Sequence, residues 1–361
     1  MILMGQGSYS TNINMQCLTA QRFKIALVVT IPLLLCGLLF RQAAHLPQTL
    51  HVNKPVYRLA YSPNGKYLAV GVGEHHPRPG TSGGEVVIYD AATLTPLKRI
   101  PAHHWRVLAL TYSPDGKLLA TKGLDFSIKL WDATTYSLVH SIPTQDVVQA
   151  LAFSPDSQYL AGVTADSAPT LFTGKVSLWH IQTRQLAGTF VAKDIAVPPF
   201  NVAYTADGKT LRVIGQDALK HITVLYNLKT AVLGQGAGTR LPATAQNLGY
   251  WWHAAQSPDG QWIAVQAGST LQVRLIATGA VLKTLKGLTR FAKSLAFSRD
   301  SRLLAAGDDK GSVYIWDVTT GKLLRQSQGH HNVINDIAFS PDAQTLASAS
   351  DDGTVKLWRI Q

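Results

Sequence analysis

Ser348, His330 and Asp352 supply the residue types of a nucleophile, base and carboxylate triad, in which an imidazole takes a hydroxyl proton while a carboxylate orients the ring. A second chemistry is offered by His51, His75, His76, His103, His104, His330 and His331, with Glu74 as the nearby carboxylate. Imidazoles ligate metals and titrate near neutrality, so such a set could hold an ion or act as a pH switch. No spacing among these histidines fixes a coordination geometry. The rest of the 361 residues show no Gly-rich phosphate loop, no nucleophile motif and no metal-ligand spacing. The sequence therefore predicts no cofactor and no catalytic residue.

The elements that must position these residues are written most clearly in the stretch Gly329 to Ile360, GHHNVINDIAFSPDAQTLASASDDGTVKLWRI. Ile334, Ile337 and Phe339 carry the alternation of a half-buried strand, and Ser340-Pro341-Asp342 ends it in a turn. Leu346 to Ser350 is a second strand, Asp351-Asp352-Gly353 a tight turn, and Thr354 to Arg359 a third strand. One antiparallel meander of this size cannot bury both faces alone, so it must stack against copies of itself.

The copies are present. Turns begin at Ser62, Ser113, Ser154, Thr205, Ser257, Ser298 and Ser340, and six of the seven have Asp in the third position, with Asn64 in the first. The residue three before each turn is apolar: Leu59, Leu110, Leu151, Val202, Ala254, Leu295 and Ile337. The residue directly before it is aromatic in Tyr61, Tyr112, Phe153, Tyr204, Phe297 and Phe339, and only Gln256 departs. Third strands end on Tyr89-Asp90, Trp131-Asp132, Trp179, Tyr226, Trp316-Asp317 and Trp358.

This pattern resembles the WD40 repeat family over roughly residues 46 to 361. The resemblance implies an all-β, seven-bladed WD40 β-propeller over residues 45–361, closed by an amino-terminal strand at residues 46–51 that completes the last blade. It implies no particular activity, because the fold hosts many. It also implies a buried relay in two repeats: His103, Thr121, Asp125 and Trp131 in the second, and His330, Ser348, Asp352 and Trp358 in the last. The indole and the repeat register make these structural staples, not triads. The other five repeats are incomplete, and the sixth has Leu288, Ala306 and Lys310 at the histidine, hydroxyl and carboxylate positions. Those blades should lean on apolar packing.

By the family's geometry, the loops before each first strand share one face with two long loops, Gly73 to Gly84 and Thr164 to Gly174. Loops on a rigid scaffold tend to carry function. Partner binding is expected there through Tyr57, Trp105, Arg106, Phe200, Tyr250, Trp252, Phe291, Lys293 and Asn335, since aromatics beside cations make interface hot spots. The bland reading of Trp251 and Trp252 is that they fill core volume lost at Ala254 and Gln256. The expected function is a non-enzymatic scaffold for protein or peptide partners. The alternative is an extracytoplasmic propeller hydrolase or lyase with a metal on the histidine-bearing face.

Residues 1–21 read as a polar tail, and 22–44 as one hydrophobic helix. Within it, IALVVTIPLLLCGLLF at 25–40 is uncharged and bracketed by Arg22, Lys24 and Arg41. At ~1.5 Å per residue this spans ~24 Å, short of a ~30 Å hydrocarbon core unless its flanks contribute. A single-pass anchor with the propeller outside is expected, and a cleaved signal peptide is the competing reading. Cys17 and Cys36 both fall outside the propeller, so no disulfide framework is implied. The formal net charge is +12, to which Arg22, Lys24 and Arg41 contribute three. The basic remainder would favour anionic lipid or an acidic envelope polymer as additional partners. Nucleic acid is not expected, because the cations are scattered and no nucleic-acid motif appears.

Overall fold

The computed structural model describes residues 47–74, 83–144, 147–165, 174–192, 201–217, 222–229, 238–240 and 254–360. Among these, every regular element is a β-strand, in seven four-stranded antiparallel sheets. The hydrophobic segment 25–40 and the tail lie outside the described residues. Among the described residues, no helix is long and apolar enough to cross a membrane.

Blade one is representative: Val56–Tyr61, Tyr67–Gly73, Gly84–Asp90 and Pro96–His103 pair in chain order. The last blade differs. Its inner three strands are Ile334–Phe339, Thr345–Ser350 and Thr354–Arg359, and its outer strand is Gln48–His51 from the other end of the chain. Gln48 lies opposite Leu357, and His51 opposite Thr354. The first strands of neighbouring sheets contact one another in order around a closed ring, in which the last sheet meets the first.

The core lies between blades. Seven apolar clusters each join two neighbouring sheets. The one between the last and first blades packs Ala347, Val355 and Leu357 against Val56, Leu68 and Val70. A twisted sheet with apolar residues on both faces is thereby covered twice, which is why the repeat does not stand alone.

The seven turns are hydrogen-bonded units. In each, the leading hydroxyl donates to the side-chain oxygen two residues on, at 2.5–2.7 Å, and accepts the N–H five residues on. The fourth residue takes φ between 56° and 72°, which explains Gly at four of these positions; Ser157, Ser301 and Ala343 occupy the others at a strain cost. Adjacent turns also interlock, since the Asp115 N–H donates to Ser157 Oγ and the Asp259 N–H to Ser301 Oγ.

Candidate functional site

Five of the seven first strands carry a one-residue register shift near their start, so the bulged residues are Tyr57, Leu108, Gln149, Lys293 and Asn335. A bulge re-aims a side chain and increases the local twist. Three of the five, Gln149, Lys293 and Asn335, face the middle of the ring. There, a cavity of about 350 Å³ is lined by Arg58, Gln149, Asn201, Lys293, Asn335 and Asp336, among others.

Several of these polar groups hold the ring together. Asn335 Nδ2 donates to the Val56 carbonyl at 2.9 Å and to Asp351 Oδ1 at 2.7 Å. Asn201 Nδ2 donates to the Ala254 carbonyl at 3.1 Å in the same way, linking blades four and five. Asp336 Oδ2 accepts the Leu59 N–H at 2.9 Å across the closure. Burial pushes the Asp336 carboxyl up, with Arg58 and the N–H donors of Leu59 and Ile337 opposing it. Among the described residues, Arg58, Gln149 and Lys293 line this cavity without such a latch, Arg58 donating only to the neighbouring Tyr57 carbonyl at 2.8 Å. The alternation of apolar residues gave no sign of the bulges. Arg58, Asn201 and Asp336 were accordingly not among the residues expected at the mouth.

Of the residues expected to meet partners, Tyr57 is buried under Arg106, whose guanidinium carbon lies 5.1 Å from the ring centroid. Burial raises the Tyr57 phenol, opposed by Arg106. Trp105 is half-buried and meets the exposed His104 edge-on, with centroids 6.2 Å apart. Phe291 is 49% exposed two residues before the half-buried Lys293. Phe200, Tyr250 and Trp252 lie outside the described residues. So do His75, His76 and most of both long loops. The described ends of the first loop, Gly73 and Gly84, lie against Arg106 and Trp105, so a Cβ on either would collide with that backbone.

The two relays are assembled. In the last blade, Trp358 Nε1 donates to Ser348 Oγ at 2.9 Å, Ser348 Oγ meets His330 Nε2 at 2.7 Å, and His330 Nδ1 meets Asp352 Oδ2 at 2.9 Å. In the second blade the corresponding distances are 2.9 Å for Trp131 to Thr121, 2.8 Å for Thr121 to His103, and 3.0 Å for His103 to Asp125. The carboxylate requires the proton on Nδ1, leaving Nε2 to accept from the hydroxyl, so each imidazole is neutral and fully used. Burial holds both histidines below their ordinary value. Ser348 is 0% exposed and its Oγ already serves the indole and the imidazole, so no substrate can reach it.

The sixth blade has a substitute that the sequence did not disclose. Trp316 Nε1 donates to the Lys286 carbonyl at 2.8 Å and stacks on Tyr314, at 5.6 Å between centroids. The Tyr314 hydroxyl bridges Thr289 Oγ1 at 2.7 Å and Asp308 Oδ2 at 3.2 Å. The carboxylate stands two residues upstream of Lys310, so this blade carries a polar bridge beside the apolar packing expected of it. Its turn is closed by Gly311, at φ 87°, where a Cβ would lie 2.2 Å from the His330 carbonyl oxygen.

Among the described residues, no group of three His, Cys, Asp or Glu converges to hold a metal. His51, His104 and His331 are exposed.

The WD40 family, described as "WD domain, G-beta repeat", matches residues 45–76, 94–132, 279–317 and 321–359. The chain thus carries WD40 repeats in four places, within an all-β fold of seven four-stranded sheets. It is 40% identical to the COMPASS component SWD1 of Saccharomyces cerevisiae over 78 residues, 20% of this chain and 16% of the relative. It is 32% identical to the small ribosomal subunit protein RACK1 of Candida albicans over 109 residues, 30% of this chain and 34% of the relative. Similarity to autophagy-related protein 16 of Arabidopsis thaliana is longer but weaker, 23% identity over 238 residues, 65% of this chain and 44% of the relative. The chain spans less than half the length of each of these relatives.

Proposed function

We propose that this chain is a non-enzymatic protein-interaction scaffold, binding protein or peptide partners at the loop-face mouth of the ring. The observation that carries this reading is the set of bulged first strands, which place Gln149, Lys293 and Asn335 in the lining of the central cavity of a closed scaffold. Relatives named as a COMPASS component and a small ribosomal subunit protein support a part in assemblies. The residues proposed to meet partners are Trp105, Arg106, Phe291 and Lys293, with Tyr57 and Asn335 shaping the floor beneath them. Phe200, Tyr250 and Trp252 are proposed for the same face from sequence. The buried, saturated relays support a structural role over a hydrolytic one.

Residues 25–40 serve in this proposal as a single-pass anchor that holds the propeller outside the membrane, where anionic lipid or acidic polymer would add to the partners. The uncharged run supports this reading. The test is thiol labelling of intact cells carrying Gln326→Cys, with Cys17 and Cys36 replaced. Labelling by an impermeant reagent in the membrane fraction is expected, and labelling only after lysis would overturn the placement.

For the binding reading, the chain would be cross-linked in the cells that produce it, with and without Phe291→Ala and Lys293→Glu together. Partners should be lost while the melting temperature holds. Retention of every cross-linked partner would refute the assignment of the mouth.

A further inference from the structure

The cavity in the middle of the ring has a polar end and an apolar end. Each first strand runs from the loop face into its turn, so Gln149 and Lys293 stand two residues, about 7 Å, nearer the mouth than Leu151 and Leu295. Leu110, Leu151 and Leu295 make the deeper part of the lining apolar, while Arg58, Gln149 and Lys293 carry its polarity one or two register positions nearer the mouth. These three side chains are half-buried, so a group entering from the loop face can reach them.

Donors and acceptors in this lining are not balanced. Asp336 is the one carboxyl among the described lining residues, and both of its oxygens serve backbone: Oδ2 accepts the Leu59 N–H at 2.9 Å and Oδ1 the Ile337 N–H at 3.0 Å. Burial also pushes this carboxyl up, which reduces the negative charge it can offer. Against it stand two cations. Arg58 spends one N–H of its guanidinium fork on the Tyr57 carbonyl, which leaves the rest of the fork to a ligand. Among the described residues, nothing bonds the Lys293 Nζ or the Gln149 amide.

A half-buried pocket with surplus donors and surplus positive charge is matched by a group that only accepts, a carboxylate or a phosphate. A guanidinium binds either one through two parallel N–H donors, and an ammonium adds a point charge beside it. Partial burial shields such contacts from the salt that weakens exposed pairs. We propose that the central cavity receives an acidic side chain of a peptide partner, its oxyanion held by Arg58 and Lys293 with Gln149 beside them. This rests on the scaffold reading and names the chemistry of the partner at the same site.

The test is calorimetric titration of the full-length protein, at physiological salt, with acetyl-Ala-Glu-Ala-amide and with its phosphoserine, glutamine and lysine counterparts. Saturable one-to-one binding of an acidic peptide is expected, at least about tenfold tighter than of the glutamine peptide, a difference of about 1.4 kcal/mol. The tighter of the glutamate and phosphoserine peptides identifies the source of the oxyanion. Lys293→Gln and Arg58→Gln should each weaken this binding at least about tenfold while the protein still melts cooperatively. Lys293 makes no latch, so its variant keeps the test open if Arg58→Gln fails to fold. Lys322→Gln, which removes an exposed charge of the same sign before the outer strand of blade six, should leave binding unchanged, which separates the cavity from general attraction to a basic protein. No binding of either acidic peptide at millimolar concentration, equal binding of the glutamine peptide, preference for lysine, an equal loss in Lys322→Gln, or saturation by inorganic phosphate alone would each overturn the proposal. Cross-linked partners at the mouth without acidic-peptide binding would overturn it and leave the scaffold reading standing, whereas acidic-peptide binding without any cross-linked partner would uphold the anion site and remove the scaffold reading.

Discussion

Leu50, near the start of the described chain, lies opposite Val355, near its end, and this pairing closes the ring. Removing residues 47–51 would leave the Thr354–Arg359 strand as an open edge and uncover part of the apolar cluster between blades seven and one. Leu50→Pro, which removes a ladder donor and leaves its partner unsatisfied, should cost about 1–3 kcal/mol. Chemical denaturation measures it, and unchanged stability with a monomeric product would contradict the closure.

The relays should show the asymmetry of buried hydrogen bonds. Ser348→Ala strands the Trp358 indole N–H and the His330 Nε2 together, at an expected loss of about 1–3 kcal/mol. Thr121→Ala should behave alike in blade two. A melting temperature within experimental error of wild type for both would mean that these contacts do not carry stability.

The pH dependence follows from the same groups. His103 and His330 are held below their ordinary value by burial, so they fold neutral and contribute stability above about pH 6.5. That contribution is lost progressively as the pH falls below this. Asp352 is lowered to about 2, so its contribution is present above its ordinary value near 3.8 and is lost as the pH falls through about 2. Melting temperature should therefore fall from pH 6.5 toward 5 and again below 4, and the first fall should shrink in a His103→Gln, His330→Gln variant. A flat profile across the first window would contradict the neutral-imidazole assignment.

Lys122 gives a prediction of the opposite placement on the pH scale. It is 0% exposed, its Nζ donates to Thr144 Oγ1 at 3.2 Å, and burial lowers it to about 8. The folded state releases this proton before the unfolded one does, so stability should rise between about pH 8 and 10 relative to Lys122→Met, which should itself be more stable at neutral pH. Denaturation of both proteins across that range measures the difference, and parallel profiles would refute it.

Blade six tests whether a substitute relay can replace the family set. Tyr314→Phe removes the hydroxyl joining Thr289 to Asp308 and should cost about 1–2 kcal/mol. Trp316→Phe should cost more, since it also leaves the Lys286 carbonyl without its donor. Equal melting of wild type and Tyr314→Phe would mean the blade rests on packing.

Much of this architecture was legible because each turn announces itself through chemistry: a hydroxyl and, two residues on, a side-chain oxygen, Asp in six and Asn64 in the first, hold the bend, and an aromatic precedes it in all but the fifth. The two relays were legible through the family resemblance. Other features were hidden for physical reasons. A bulge adds one residue to a strand without changing residue types, so the positions of Lys293 and Asn335 around the axis could be anticipated but not the device that turns them. Asn335 looks like a contact residue in sequence, yet its amide is spent on Val56 and Asp351. The Tyr314 bridge was missed because its carboxylate, Asp308, stands out of register with the repeat.

The most direct test of the scaffold reading is site-specific photocross-linking in cells that produce the protein natively. A benzophenone amino acid would replace Phe291 at the mouth and, in a separate variant, Leu324, which is 45% exposed on the outer strand of the same blade. Discrete cross-linked partners from position 291, at several times the yield from 324, are predicted. Equal yields, or partners from position 324 alone, would contradict the assignment of function to the loop-face mouth.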